Sequence, residues 1–255
     1  MSFIKITKVI ILSGFGVNCE QETAFAFEIC GAKTEILHIT DLIEKPKKIL
    51  DFQILVFPGG FSFGDHTGAG KSMANKIKFH LIEQIEKIKS KDYLILGICN
   101  GFQIMSQLGI FSKKQKIEFA LAENQFPRYV CKWVELENKN KNCIFLRDIK
   151  KISLPIAHGE GRFFANEKSL EKIKSEKNIT LTYIENPNGS IKNIAGICDS
   201  SGKIFGLMPH PERNIFFHHR PDFQKQKEIF IRAGKKIPKF SDGKKIFQNA
   251  IDYFK

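Results

Sequence analysis

The stretch YLILGICNGFQIMSQL (93–108) decides the fold, because it joins an apolar strand directly to a helix. YLILGI (93–98) is a continuous apolar run, and NGFQIMSQLGIF (100–111) repeats apolar residues at helical spacing. Cys99 stands between them, with glycines two residues before it and two residues after it. This arrangement predicts a buried strand that turns straight into a helix.

The chain on the N-terminal side of this stretch alternates apolar runs with helical stretches. The predicted strands are 9–12, 34–39 and 52–60, and the predicted helices are 22–31, closed by Gly31, and 71–90. This alternation predicts an α/β fold with a doubly wound, mostly parallel sheet. Ligands of such sheets bind beyond the carboxyl ends of the strands. We therefore expect the glycine turns at 14–16, 59–60 and 97–101 to cluster on that edge.

The second half of the sequence is richer in β-strand patterns. The predicted strands there are 129–136, 151–157, 179–184, 193–198 and 203–208. The segment 210–240 is predicted to be rich in loops, and 241–254 is predicted to be a closing helix capped by Ser241 or Asp242. Because the sequence contains no internal repeat and no linker, we expect a single domain over residues 1–255.

The overall composition is that of a globular protein, with 42% hydrophobic and 26% charged residues. The net charge is +13, but the lysines are spread along the chain without interleaved aromatic residues, which argues against nucleic-acid binding. The apolar run VIIL (9–12) is far shorter than the ~20 residues that cross a bilayer, and no cleavage site follows it. We therefore expect no membrane contact and a cytoplasmic location.

The six cysteines, at 19, 30, 99, 131, 143 and 198, show no metal or redox spacing. No pair has the C-x-x-C pattern, and a chain of this size does not need disulfides for stability. We expect no metal site, and we expect most of these cysteines to be reduced and buried.

Cys99 differs from the other cysteines because it lies in the pattern G-x-C-x-G (97–101) at a strand-to-helix junction. This pattern is the cysteine form of a nucleophile elbow, in which a sharp turn exposes the side chain and requires small neighbours. The N-terminus of the following helix favours a thiolate, and the Asn100 N–H is placed to stabilise an oxyanion. From this pattern alone, a nucleophile and an ordinary buried cysteine are equally compatible with the sequence.

A cysteine nucleophile needs a histidine, and His210 is the best candidate. It lies in MPHPER (208–213), after an apolar run and between two prolines that favour extended backbone. In an extended chain, residues two apart face the same way, so Glu212 can reach and orient the imidazole. The alternative is a solvent-exposed turn with a local His–Glu contact.

A third glycine-rich segment, FPGGF (57–61), follows the predicted third strand. Adjacent glycines allow backbone N–H groups to approach a ligand closely, as an oxyanion hole requires. Taken alone, an ordinary turn explains Gly59 and Gly60 better.

Together these segments resemble a known family. LGICNGFQ (96–103), PGGFSFGD (58–65) and MPHPER are similar to the triad, or class I, glutamine amidotransferases, in which cysteine, histidine and glutamate act in this chain order. Four further segments narrow the resemblance to PurQ, the glutaminase subunits of phosphoribosylformylglycinamidine synthase: GFGVNCEQET (14–23), AHGEGRF (157–163), ENPNGSIKNIAGI (185–197) and DGKKIF (242–247). The matches run over nearly the whole chain.

The resemblance implies a flavodoxin-like, mostly parallel sheet with added β-strands in the second half, and it implies roles for nine residues. Cys99 is the nucleophile, His210 the general base and acid, and Glu212 the residue that orients His210. N–H groups of Gly59 or Gly60 and of Asn100 form the oxyanion hole. The substrate-binding residues are Gln103, Gly159 and Glu160. His158 belongs either behind the catalytic residues or at a partner interface, and the interface is slightly preferred.

The resemblance also implies the reaction and the partners. Glutamine is hydrolysed through a Cys99 thioester, and the ammonia passes to a synthetase subunit (PurL), with a small bridging subunit (PurS) as a possible third component. The synthetase uses ATP to convert formylglycinamide ribonucleotide into the amidine. Since this sequence has no P-loop and no nucleotide-binding G-x-G-x-x-G, ATP and Mg²⁺ are expected on the synthetase, and no cofactor is expected here.

Two segments depart from the family pattern. HTGAGKSMA (66–74) replaces a run closer to YLRAGAIA, which leaves its contacts open, and GFGVNC replaces a proline-glycine-serine turn. Two other hypotheses remain open from the residues alone. A stand-alone thiol hydrolase or peptidase would act without a partner, and a non-catalytic basic module would bind nucleic acid in a salt-sensitive manner.

Overall fold

The computed structural model describes residues 6–112 and 115–255, and its central feature is a nine-stranded sheet. The strands of the described residues are β1 (Lys8–Ser13), β2 (Lys33–His38), β3 (Ile54–Phe57), β4 (Leu94–Ile98), β5 (Ala120–Glu123), β6 (Val130–Asn138), β7 (Lys151–His158), β8 (Glu160–Phe164), β9 (Ile179–Tyr183), β10 (Ile194–Cys198) and β11 (Ile204–Leu207). The order in the large sheet is β2-β1-β3-β4-β11-β10-β9-β6-β7. The remaining two strands, β5 and β8, form a small antiparallel sheet.

The first five strands in this order run parallel to one another. Their sequence of positions is the 2-1-3-4-5 order of flavodoxin-like folds, with β11 in the fifth place. The other four strands are antiparallel to their neighbours and extend the sheet on one side. The predicted mostly parallel sheet with added strands from the second half is therefore confirmed.

Eight helices accompany the strands in the described part of the chain. They are α1 (Glu20–Glu28), α2 (Ile39–Glu44), α3 (Lys71–His80), α4 (Ile82–Lys89), α5 (Asn100–Leu108), α6 (Glu167–Ser175), α7 (Phe223–Arg232) and α8 (Gly243–Asp252). None of the described helices is long and apolar enough to cross a membrane.

The parallel strands are covered on both faces, which explains their continuous apolar sequences. Side chains alternate along β1: Val9 and Ile11 belong to one hydrophobic cluster, and Ile10 and Leu12 belong to the other. All five residues of β4 are buried, so Cys99 directly follows a strand that has no exposed residue.

The carboxyl ends of β1, β3, β4 and β11 meet at one edge of the sheet. The turn after β1 pairs with the turn after β3, where Val17 forms an isolated bridge with Gly60 and the Phe61 amide donates to the Gly16 carbonyl at 2.9 Å. The elbow at Cys99 follows β4, next to them. The predicted clustering of the three glycine turns is confirmed.

Several local predictions were incomplete. The periodic segment 71–90 forms two helices, because Leu81 leaves the helical conformation at φ −125°. The segment 210–240, predicted to be rich in loops, contains α7. Elements α2, β5, β8 and α6 were not predicted, although Asn166 caps α6 by accepting from the Ser169 amide at 2.9 Å, a signal that the sequence contains.

The closing helix is present as α8, but its predicted side-chain cap is not. Asp242 occupies the N-cap position in a helical conformation and makes no side-chain hydrogen bond to the helix. The Ser241 Oγ is buried and has no partner among the described residues. The single domain over 1–255 stays a prediction, and residues 1–5 and 113–114 lie outside the described residues.

Candidate active site

Cys99 lies in the turn between β4 and α5 with a backbone conformation that side chains rarely adopt, φ 50° and ψ −106°. Such strained turns are typical of nucleophile elbows. The Cys99 amide donates to the Leu207 carbonyl at 2.8 Å, which fixes the turn to β11. The residue is buried, and its Sγ lies 3.8 Å from the Ala157 carbonyl oxygen on β7. The predicted elbow is therefore formed, with its amide bound to β11 and its sulfur against β7.

The glycines on either side of Cys99 are required by close packing. A Cβ on Gly97 would lie 2.2 Å from the Met105 sulfur. A Cβ on Gly101 would lie 1.8 Å from the carbonyl oxygen of Phe57, which is the last residue of β3. The elbow can approach β3 this closely only because residue 101 has no side chain.

We expect the substitution Gly101→Ala to lower the free energy of unfolding by about 3 kcal/mol or more, because the clash is with backbone that cannot rotate away. Urea denaturation measures this effect. Gly159→Ala is the matched control, since a Cβ there has no atom within 4 Å; we expect it to stay within ~0.5 kcal/mol of the wild type. Equal urea midpoints for the two variants would contradict the packing argument.

His210 and Glu212 are in contact, as the sequence predicted. His210 Nδ1 lies 2.5 Å from Glu212 Oε1, and both side chains are buried, so a solvent-exposed turn is excluded. The route to this contact differs from the prediction, because Pro211–Arg213 form a 3₁₀ turn rather than extended chain. Only His210 is extended, and its amide donates to the Pro155 carbonyl at 2.8 Å, which holds it against β7.

The surroundings make His210 a stronger base than an ordinary histidine. Burial is the largest single effect and opposes the charged imidazolium, but the Glu212 carboxylate and the contacts with Cys99 and Cys19 together outweigh it, so the pKa of His210 is raised well above its usual value. Its Nε2 is buried and makes no hydrogen bond of regular geometry within the described residues. His210 therefore presents a nitrogen that is shielded from water next to Cys99.

Gly59 and Gly60 lie beside this pair at the end of β3. A Cβ on Gly59 would lie 2.8 Å from His210 Cε1, so the glycine allows the imidazole to pack against the turn. Within the described residues, the N–H groups of Gly59 and Gly60 donate no hydrogen bond, and both are available to a ligand. Asn100 is the first residue of α5, and its Oδ1 accepts from the Ser62 amide at 3.1 Å. The three predicted oxyanion-hole residues thus surround the elbow.

Two of the predicted substrate-binding residues, Gln103 and Glu160, form a hydrogen-bond network with Asn100, and Gly159 lies beside it in the chain. Asn100 Nδ2 donates to Gln103 Oε1 at 2.9 Å, and Gln103 Nε2 donates to the Glu160 carbonyl. Glu160 Oε2 accepts from the Ala69 amide at 3.1 Å, so the divergent segment 66–74 is tied to this network. The Gly159 carbonyl accepts from the Asn124 amide at 2.9 Å.

Asp65 belongs to this network, although the sequence analysis did not select it. It lies in the left-handed region at φ 55°, and Asn100 Nδ2 donates to its Oδ1 at 3.4 Å. Burial and the nearby Glu160 carboxylate raise the pKa of Asp65 to about 6. The available signal in the sequence was its place at the end of PGGFSFGD.

His158 lies behind the catalytic residues rather than at a surface. It is only 2% exposed, and its Nδ1 lies 3.1 Å from Asn124 Oδ1. Burial and the charge of His210 lower the pKa of His158 to about 4, so the ring is neutral near pH 7. The slightly preferred placement at a partner interface is therefore wrong, because the side chain has almost no surface to offer.

Cys19 and Arg213 are further site residues that sequence reasoning missed. Arg213 Nη2 lies 3.2 Å from Cys19 Sγ, and the thiol lies against His210. One possible metal-ligand atom from each of Cys19, His210 and Glu212 lies within 4.8 Å of the other two. The sequence signals were the Asn-Cys pair in GFGVNC and the arginine that ends MPHPER.

Comparisons with known proteins agree with this geometry. Residues 6–254 match the model of the CobB/CobQ-like glutamine amidotransferase domain. The chain is 46% identical to the phosphoribosylformylglycinamidine synthase subunit PurQ of Methanococcus maripaludis strain C7, over 98% of each chain. It is 38% identical to the subunit of the same name from Dehalococcoides mccartyi, over 96% of this chain and 97% of the relative.

A solved structure gives the same result at the level of the fold. One chain of the structure described as PurLQS from Thermotoga maritima superimposes with a TM-score of 0.74 at 32% identity, covering 98% of this chain and 100% of that chain.

Proposed function

Because this chain belongs to the CobB/CobQ-like glutamine amidotransferase family and, within it, to the PurQ subunits, we propose that it hydrolyses glutamine with Cys99 as nucleophile. The chain is the glutaminase subunit of phosphoribosylformylglycinamidine synthase, an enzyme of purine biosynthesis. The observation that carries the proposed chemistry is the strained Cys99 elbow beside His210, whose Nδ1 lies 2.5 Å from the buried Glu212 carboxylate.

The proposed reaction has two stages. His210 takes the proton of the Cys99 thiol, and the sulfur forms a bond to the amide carbon of glutamine. The C–N bond then breaks as the imidazolium gives its proton to the nitrogen, which leaves as ammonia. In the second stage His210 takes a proton from water, and the resulting hydroxide attacks the thioester carbon. The C–S bond breaks with its electron pair on sulfur, the sulfur takes the proton back from His210, and glutamate leaves. Glu212 keeps the imidazole aligned in both stages.

Gly59, Gly60 and Asn100 support this proposal as oxyanion-hole residues. Both stages place negative charge on the oxygen of the substrate carbonyl, and backbone N–H groups fixed in advance stabilise that charge. Gly59 packs directly on His210, and the two glycine N–H groups are uncommitted in the described chain. Asn100 follows Cys99 at the N-terminus of α5, where the helix dipole also favours negative charge.

Gln103, Gly159 and Glu160 are proposed to bind the amino-acid end of glutamine. That end carries an ammonium and a carboxylate, and the network around Gln103 contains two carboxylates, Glu160 and Asp65, that suit the ammonium. The Glu160 and Asp65 carboxylates repel each other, which contributes to the raised pKa of Asp65. An ammonium group between them would relieve this repulsion. We therefore place the substrate ammonium on the Glu160 side of Cys99.

The partners follow from the subunit's place in the enzyme. The chain works in a complex with PurL and PurS subunits. We propose that ammonia passes to PurL, which binds ATP and Mg²⁺ and converts formylglycinamide ribonucleotide into the amidine, and that this chain binds no cofactor, metal, nucleic acid or membrane. We further propose a cytoplasmic location, as the sequence analysis predicts.

Affinity labelling tests the nucleophile assignment. A chloroketone analogue of glutamine is expected to alkylate Cys99 in the complex, and excess glutamine is expected to prevent it; mass spectrometry of peptides identifies the site. Cys131 is the internal control, because it is exposed and its alkylation should not respond to glutamine. Labelling of another cysteine that glutamine prevents would overturn the assignment.

A further inference from the structure

A second buried cysteine lies against His210, and the proposed reaction does not use it. Cys19 is 1% exposed, and its Sγ, one His210 nitrogen and one Glu212 oxygen lie within 4.8 Å of one another. We propose that Cys19, fixed by Arg213, is a positioning residue that keeps the His210 imidazole aligned between Glu212 and Cys99. The inference rests on the proposed function, because it requires His210 to be the general base.

The backbone places Cys19 beside the PGG turn. The amides of Asn18 and Cys19 both donate to the Gly59 carbonyl, at 3.4 and 3.1 Å. A Cβ on Gly59 would lie 3.0 Å from Cys19 Sγ and 2.8 Å from His210 Cε1. The thiol and the imidazole therefore lie against the same side of Gly59, in space that any other residue would fill.

Arg213 holds the sulfur from the other direction. Its Nη2 lies 3.2 Å from Cys19 Sγ, and its Nε donates to Glu22 Oε1 at 3.1 Å. Helix α1 carries Glu22 and follows directly on Cys19, so one element supplies both contacts of the guanidinium. Arg213 also follows Glu212 in the chain, with 4.0 Å between its Nε and Glu212 Oε1. The thiol and the carboxylate that contact His210 are thus linked through one side chain.

The chemical state of Cys19 suits positioning rather than nucleophilic attack. Burial raises the pKa of the Cys19 thiol, and the contact with His210 only partly offsets this effect. Cys19 is therefore a neutral thiol at pH 7, and neutral thiols are poor nucleophiles. A neutral sulfur fills the space beside the ring without placing a second negative charge next to the developing oxyanion.

A positioning role is needed because His210 has one strong partner. Glu212 fixes Nδ1, while Nε2 has no partner of regular geometry in the described chain. A small misalignment of a catalytic group can reduce the rate by about 10²-fold. Contact with Cys19 restricts the tilt of the ring, so that the same nitrogen faces Cys99 in the first proton transfer and the leaving ammonia in the second.

A metal site is the competing interpretation of the same residues. Cysteine, histidine and carboxylate are zinc ligands, and their atoms are close enough here. The Arg213 guanidinium, 3.2 Å from the sulfur, places a positive charge where the metal cation would bind. The structure therefore favours positioning, and metal content becomes one outcome of the test.

The experiment measures glutamine-dependent and ammonia-dependent synthesis by the complex with the variants Cys19→Ala and Cys19→Ser. We expect Cys19→Ala to lower the glutamine-dependent kcat about 10-fold with the KM for glutamine unchanged. Ammonia-dependent synthesis should stay at the wild-type level, and Cys19→Ser should recover part of the loss. The matched control is Cys30→Ala, which removes a buried thiol next to the other end of α1.

The pH profile separates positioning from a general effect on the fold. The Cys19 thiol raises the pKa of His210, so its removal should move the alkaline limb of kcat to lower pH. The ionisable groups that face or influence His210 are Glu212, Cys99, Cys19, His158, Arg213 and Tyr129. Since Cys19→Ala leaves the other five in place, the shift reports on Cys19. Arg213→Gln, at a more exposed position, should lower the glutamine-dependent kcat with the KM for glutamine unchanged if Cys19→Ala does not fold, because it releases the Cys19 sulfur.

Three results would overturn the inference. The first is a Cys19→Ala complex whose kcat and pH profile equal those of the Cys30→Ala complex. The second is a change confined to KM, which would mean contact with substrate. The third is stoichiometric zinc in the purified complex that Cys19→Ala loses. If the proposed function is correct, substitution of Cys99 abolishes glutamine use whatever the outcome for Cys19. Failure of the Cys19 inference can therefore be distinguished from failure of the proposed function.

Discussion

The variant Cys99→Ala is expected to lose glutamine-dependent amidine synthesis by at least about 10³-fold, while ammonia-dependent synthesis by the same complex stays intact. The reason is that alanine removes the only group in the proposed route that forms a bond to the amide carbon. The remaining backbone donors and the buried imidazole cannot form a thioester. Assays with glutamine and with ammonium chloride, at equal complex concentration, measure the two activities.

The control for this variant is Cys30→Ala, which should retain both activities because the Cys30 sulfur contacts the Lys244 carbonyl, and none of the charged groups that act on it belongs to the proposed catalytic set. A lower ammonia-dependent rate in Cys99→Ala would indicate a damaged complex. Retention of glutamine-dependent synthesis in a complex that is otherwise normal would exclude Cys99 as nucleophile.

The variant Glu212→Gln is expected to lower the glutamine-dependent kcat by about 10²- to 10⁴-fold. The amide keeps the shape of the side chain but carries no negative charge. The Glu212 charge raises the pKa of His210 against the effect of burial, so its loss lowers that pKa. The imidazolium that protonates the leaving nitrogen is then lost at lower pH. We therefore expect the alkaline limb of the kcat profile to shift to lower pH.

Glu83→Gln provides the comparison for this prediction, because Glu83 is exposed on α4 and pairs with Lys87 at 2.5 Å. It should change neither the rate nor the pH profile. If Glu212→Gln lowered the rate without moving the alkaline limb, the role of Glu212 would be to maintain the structure of the site rather than to raise the pKa of His210.

The sequence predicted the parallel part of the fold and the catalytic residues for separate physical reasons. Strands buried on both faces have continuous apolar sequences, so β1, β3 and β4 were visible without knowledge of their neighbours. The elbow was visible because crowding at Gly97 and Gly101 excludes any other residue. Short elements such as α2 and β5 were missed, since their formation depends on packing partners rather than on their own pattern.

The three functional hypotheses could not be separated by residue patterns without the family resemblance. A thiol hydrolase has the same elbow, and a basic surface is compatible with any of the three. Membership of the PurQ subunits, at 46% identity over 98% of both chains, decided in favour of the glutaminase. Charge alone gave little information, because lysines on a solvated surface carry no geometric constraint.

The sequence by itself determined that Cys99 stands at a strand-to-helix turn and that Glu212 lies two residues after His210, because both relations are local in the chain. Only the tertiary structure decided that β4 and β11 are neighbours, which brings residues more than a hundred positions apart to one edge of the sheet. It also decided that His158 is buried against Asn124 and that Cys19 touches His210, since both contacts depend on how distant segments of the chain pack together. Contacts of this kind leave no periodic signal in a sequence, because each joins residues that are far apart along the chain.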